Sequence, residues 1–345
     1  MVGLAIGVVV SWAFPAVGAS LGGYGSTIGE SYVVYAPDVT RPGPGFVSAS
    51  LDDFTAESSA RARFTGPPLP QDAWLPSGAE TGADSDSAPS AQRPWCLQFF
   101  PEGLIYPSYL AGVRESRFGS QWVNERKVGW IWDIALGGRV GVIRYGTQEC
   151  YRPEGFQIDI EGAGFPRLDL EHDRDLVAAD FRFGVPITFG GKRWQTKTGY
   201  YHLSSHLGDE FMLLYPGARR INYSRDAMVL GESFYPVESL RLYAEATWAF
   251  ASDDGAKPWE FQFGVDFAPA EPGNLRGAPF VALNGYLRED IEYSGNLVVQ
   301  TGWSWRGEAG HLFRLGMHYF AGYSEQFEFF DRYEEKLGLA LWYDY

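Results

Sequence analysis

The sequence predicts an all-β fold: a closed antiparallel transmembrane β-barrel of about twelve strands, with ten to fourteen compatible, preceded by a disordered arm. Three observations carry this expectation. From Trp95 onward, apolar and polar residues alternate with period two, as in strands with one apolar face. The alternating runs are often about eleven residues or longer, enough for a tilted strand to cross a bilayer. Aromatics form 16% of the 345 residues and recur near the ends of apolar faces, where interfacial girdles sit. Mean hydropathy is only −0.20, which suits a wall whose alternate residues meet lipid.

The chain divides into three parts. Val2–Phe14 is a short apolar core followed by Val17-Gly18-Ala19, so residues 1–19 are expected to be a secretory signal cleaved after Ala19. No Lys or Arg precedes that core. Residues 20–93 are rich in Pro, Gly, Ser, Ala and Asp and lack periodicity, and are expected to form a disordered arm. Residues 94–345 are the expected barrel, with strands from 117–124 to 335–345. Outward faces are expected to carry Trp132, Phe181, Phe183, Trp248, Phe263 and Trp303. The segments at Gly190-Gly191 and Arg306–Ala309 are expected to be periplasmic turns, and those near 207–218 and 322–334 longer extracellular connections.

The opposite faces supply a lumen of mixed charge: Asp133, Arg139, Asp159, Glu161, Asp180, Arg182, His206, Arg241, Glu245 and Asp266. Such a lumen is usually a cross-linked plug in a narrow barrel. The net charge of −15 argues against nucleic-acid partners. Cys96 and Cys150 form no CxxC pair and are a candidate disulfide if the protein is exported. The last residues, KLGLALWYDY, place Leu337, Leu339, Leu341, Tyr343 and Tyr345 on one face. With its terminal aromatic, this stretch resembles the β-signal read by the outer-membrane assembly machinery. Leu341, Tyr343 and Tyr345 are its candidate residues, and that machinery and outer-membrane lipid are the expected partners.

The best candidate chemistry lies in Tyr200–Glu210. His202 and Ser204 share one strand face, about 7 Å apart along the chain, with Asp209 or Glu210 as candidate orienting acids. The order His-x-Ser resembles the active-site strands of outer-membrane phospholipase A and of lipid A 3-O-deacylase. The opposite face, Tyr201, Leu203, Ser205 and Leu207, is the more apolar, so His202 and Ser204 are expected in the lumen. His202 and His206 stand about 13 Å apart on a strand, too far to share an ion, and no metal or cofactor is expected.

Several stretches resemble the domain of unknown function 1207, an uncharacterised bacterial family: FFPEGLIYPSYLA at 99–111, WDIALGGRVGVIRYG at 132–146, DIEGAGFPRLDL at 159–170, DLVAADFRFGVPITF at 175–189 and YYHLSSHLGDE at 200–210. The resemblance implies an outer-membrane location and brings no activity. The expected function is a narrow channel or an envelope scaffold. The alternative is an envelope-lipid hydrolase, a phospholipase or a lipid A deacylase, using the His-x-Ser pair.

Overall fold

The structure is a computed structural model that describes residues 95–345 apart from positions 254 and 274. The expected leader and arm, 1–19 and 20–93, lie outside the described residues. Long period-two runs form the strands β1 (Cys96–Phe99), β2 (Phe118–Glu125), β3 (Gly129–Gly146), β4 (Gly155–Asp169), β5 (Asp175–Gly190), β6 (Trp194–Leu207) and β7 (Ser224–Val237). They continue as β8 (Leu240–Asp253), β9 (Trp259–Phe267), β10 (Ala278–Arg288), β11 (Ser294–Arg306), β12 (Leu312–Tyr323) and β13 (Tyr333–Asp344). One short helix, α1 (Asp209–Leu214), follows β6.

Each strand from β2 to β13 pairs antiparallel with its neighbours in sequence. β13 returns to β2, with Leu341 opposite Ser120, which closes a twelve-stranded barrel. Closure gives each of the twelve wall strands a partner on both sides, a requirement for any sheet that crosses lipid, while β1 pairs with β3 alone. β3 is the longest strand at 18 residues. Its first half pairs with β2, and its last residues pair with β1, where Cys96 stands opposite Gly146. The chain therefore enters beside β3, at the end of the barrel that also holds Tyr345; the opposite end is called here the far end.

Burial sorts the two faces. Phe181, Phe183, Trp248, Phe263 and Trp303 lie on the outer surface, each 44–50% exposed. Trp132 is half-buried against Trp122 on the same surface. Asp133, Arg139, Asp159, Glu161, Asp180, Arg241, Glu245 and Asp266 are buried inside, and Arg182 pairs there with Glu161 at 3.0 Å. An aromatic belt of this extent needs an apolar surrounding, so the wall is that of an outer-membrane-type barrel.

The interior is filled, and much of the filling is chain that the sequence reading assigned to the barrel without a role. Residues 101–117 leave β1 and thread the lumen before β2 begins. Their contacts reach around the wall. Tyr109 donates to Glu245 at 2.9 Å and stacks on Tyr243 with ring centroids 3.9 Å apart. The Leu110 N–H donates to Asp266, Arg114 donates to Asp180 at 2.7 Å, and Arg117 pairs with Asp344 at 2.8 Å. Toward the far end, Lys336 bonds Asp133 and Glu325, and Arg167 bonds Asp133 and Glu334. Buried charges persist only when paired and hydrogen-bonded, so the Arg114 and Arg117 pairs fix the position of the threaded segment. Apolar lumen residues, among them Tyr201, Leu203, Phe280, Phe320 and Trp342, complete the packing.

Both cysteines are free. The candidate disulfide is not formed: Gln148 donates to Cys96 Sγ, and Cys150 Sγ donates to Glu102. The terminal face runs as expected along the outside, with Leu337 and Leu339 exposed and Leu341, Tyr343 and Tyr345 half-buried.

Candidate functional site

β6 reverses the expected orientation. Tyr201, Leu203, Ser205 and Leu207 are the buried face, while Tyr200, His202, Ser204 and His206 lie half-exposed on the outer surface. The hairpin register explains this. β5 and β6 pair Phe189 with Thr196 and Phe183 with His202, so the outward odd residues of β5 stand beside the even residues of β6. The lumen takes Tyr201 and Leu203 because its core is itself apolar there. His202, Ser204 and His206 are therefore corrected from lumen to outer wall.

Gly199 holds the start of this row in place. Its φ is +141°, and a Cβ would meet the Val185 carbonyl oxygen at 2.4 Å, so β5 and β6 approach closely only because the residue is glycine. One residue on, the outward row begins at Tyr200.

The acid that meets His202 is Asp226 on β7, its cross-strand partner. His202 Nδ1 and Asp226 Oδ1 are 2.9 Å apart, with side chains 40% and 32% exposed. Tyr200 Oη donates to the same carboxylate oxygen at 2.6 Å. Next to Asp226, β8 carries one extra residue at Phe250, a bulge of the kind that re-aims side chains. Ser204 lies two residues beyond His202 on the same face, opposite Ser224 of β7. Among the described residues no hydrogen bond joins Ser204 to His202. With Nδ1 engaged by the acid, the Nε2 of His202 is the nitrogen left for a hydroxyl.

The expected acids are not in this cluster. Asp209 and Glu210 sit exposed in the first turn of α1, beyond the end of β6, and make no contact with His202. His206 stands against the Phe181 ring, centroids 6.0 Å apart, and Arg220 approaches its Nδ1 at 3.5 Å. Asp226 escaped the sequence reading because it lies 24 residues from His202 and only the β6–β7 register brings it near. The signal that would have found it is an aspartate that alternates with Met228 and Leu230 on the outward row of β7, next to Ser224.

The outer face of this plugged, outer-membrane-type barrel thus brings a histidine–aspartate pair and a serine into one neighbourhood. The chain belongs to the family described as protein of unknown function, DUF1207, whose model matches residues 83–345. Among solved structures it is similar to outer membrane phospholipase A from Escherichia coli, at 9% identity and a TM-score of 0.45, covering 68% of this chain and 91% of that one. It is also similar to the Salmonella typhi outer membrane phospholipase dimer with bound calcium, at 10% identity and a TM-score of 0.44, covering 67% and 91%. No curated protein matches.

Proposed function

We propose that this protein is an integral outer-membrane serine hydrolase that cleaves acyl esters of envelope lipids. One observation carries the reading: the His202–Asp226 hydrogen bond lies on the wall's outer face, with Ser204 two residues along the same face of β6. Ionisable groups on a bilayer-facing surface are costly, and their presence there is a reason to look for function. In the proposed reaction Ser204 Oγ attacks the ester carbonyl carbon and its proton passes to His202 Nε2. Asp226 holds the imidazole in the tautomer that accepts it and stabilises the imidazolium. The carbon–oxygen bond to the leaving alcohol breaks, and the alcohol takes the proton from His202. Water, deprotonated by His202, then releases the fatty acid from Ser204. The Ser224 hydroxyl, across from Ser204, offers a donor to the carbonyl oxygen. The filled lumen favours chemistry at the wall over conduction through it. Export through a cleaved leader and insertion by the assembly machinery complete the proposal.

The test is fatty-acid release from phosphatidylethanolamine in mixed micelles by the purified, folded protein. Release is expected, is lost in Ser204→Ala, and falls by up to about 10⁴-fold in Asp226→Asn, which leaves the imidazole in the wrong tautomer. An equal rate in Ser204→Ala would contradict the proposal.

A further inference from the structure

Next to the outward row the wall has a trough. β4 carries bulky residues on most of its outer face, Phe156, Ile158, Ile160 and Leu168, but two neighbouring positions are glycines, Gly162 and Gly164. Neither is required by the backbone. A Cβ at Gly162 would meet only the Arg182 carbonyl oxygen at 3.7 Å, and one at Gly164 the Phe181 ring at 3.4 Å, both ordinary contacts. The missing side chains leave a groove bounded by Leu136, Phe181 and Phe183 and ending at His202. Its empty volume is about 570 Å³, including the part open to the surroundings.

The strand registers align this groove with the candidate site. One row across the wall reads Gly162, Phe183, His202, Asp226; the next reads Gly164, Phe181, Ser204, Ser224. At the spacing of neighbouring strands, Gly162 lies roughly 10 Å from His202. The row also slopes. Asp226 is two residues from the far end of β7, His202 five from that of β6, and Phe183 eight from that of β5. Moving from acid to glycine therefore runs from the rim toward the middle of the wall. A lipid ester has the same order, with its carbonyl near the headgroups and its tail in the hydrocarbon.

We infer that the groove over Gly162 and Gly164 holds one acyl chain of the ester cleaved at Ser204. This rests on the hydrolase reading and adds its specificity element: the trough favours long over short acyl chains, and its floor residues act by positioning the substrate. A trough that merely faced bulk lipid would have no reason to lie on the same two rows of the wall as Ser204 and the His202–Asp226 pair.

The test compares 4-nitrophenyl butyrate with 4-nitrophenyl palmitate in Gly162→Leu, which fills the trough, and in Leu136→Ala, which widens it. Folding is checked by heat-modifiable electrophoretic mobility. Gly162→Leu is expected to cut palmitate cleavage about tenfold or more and leave butyrate cleavage within about twofold, and Leu136→Ala to keep palmitate cleavage. Equal loss of both substrates or no change in either in Gly162→Leu, or loss of palmitate cleavage in Leu136→Ala, would overturn the groove. A second arm does not depend on turnover. Phosphatidylcholine with a diazirine near the end of its acyl chain is photolysed with the protein, and labelled peptides are mapped. Labelling concentrated in 155–169 and 175–190, and lost in Gly162→Leu, supports the groove even if the parent protein cleaves no ester. Labelling spread evenly around the outer wall overturns it even if the parent protein is a hydrolase.

Discussion

An imidazole on the outside of a bilayer-spanning wall loses hydration, and a second polar group must compensate. At His202 that group is Asp226, which also accepts from Tyr200. Removing the tyrosine hydroxyl leaves the His202–Asp226 bond in place. Tyr200→Phe is therefore expected to keep most of the activity, with a loss below about tenfold, because one neutral hydrogen bond contributes about 0.5–1.5 kcal/mol. A loss as deep as that of Ser204→Ala, measured in the same micelle assay, would assign the tyrosine a part in the chemistry. At this scale the sequence was half legible. The spacing of His202 and Ser204 on one strand is visible in the chain itself. Their face was not, because alternation separates two sides without saying which is outside. An acid for His202 was sought nearby, at Asp209 and Glu210, whereas strand pairing brings Asp226 to it from β7.

Among the elements, the strands were the most legible and the threaded segment the least. A strand announces itself by its period, and the expected twelve alternating runs match the twelve strands of the closed wall. Residues 101–117 have no period to detect, since each side chain answers a different part of the lumen. The outward belt leads to a quantitative expectation: Phe263→Arg, near the middle of β9, should cost about 2–4 kcal/mol, read from the urea midpoint of barrel unfolding. The far-end connections lead to another. Glu328, in the connection between β12 and β13, accepts the Ile221 N–H at 3.0 Å, and its own N–H donates to Ser205 Oγ. Burial pushes its carboxyl up to about 7, against the opposing pull of the Ile221 N–H and Arg220. Since the folded value lies above the ordinary 4.5, protonation favours the docked connection. That contribution is complete below the ordinary value and is lost as pH rises through about 7. Limited proteolysis of the far-end connections should be faster at pH 8 than at pH 5.5, and Glu328→Gln should remove most of that difference. Equal rates at both pH values in the parent protein would contradict this.

Taken whole, the molecule is a wall filled from within that carries a histidine–aspartate pair on its outer face. Buried pairs such as Arg114–Asp180 and Arg117–Asp344 tie the threaded segment to two separate parts of the wall, β5 and β13. Removing one partner strands the other in the lumen, so Asp180→Ala should cost about 3–5 kcal/mol in the same unfolding experiment. The mixed-sign lumen was legible as a list of charges, and the expectation of a cross-linked interior followed from it. That a stretch of the chain itself supplies part of the cross-linking was not legible, because the ion pairs join residues far apart in sequence. The central claim is that Ser204 is a nucleophile activated on the outer surface. Its most direct measurement is covalent capture: the folded protein in micelles is treated with a long-chain alkyl fluorophosphonate, and the adduct is located by peptide mass spectrometry. The account expects one adduct, on Ser204, absent from Ser204→Ala and strongly reduced in His202→Ala. A protein that stays unlabelled at Ser204 while folded, or that is labelled equally without His202, would contradict it.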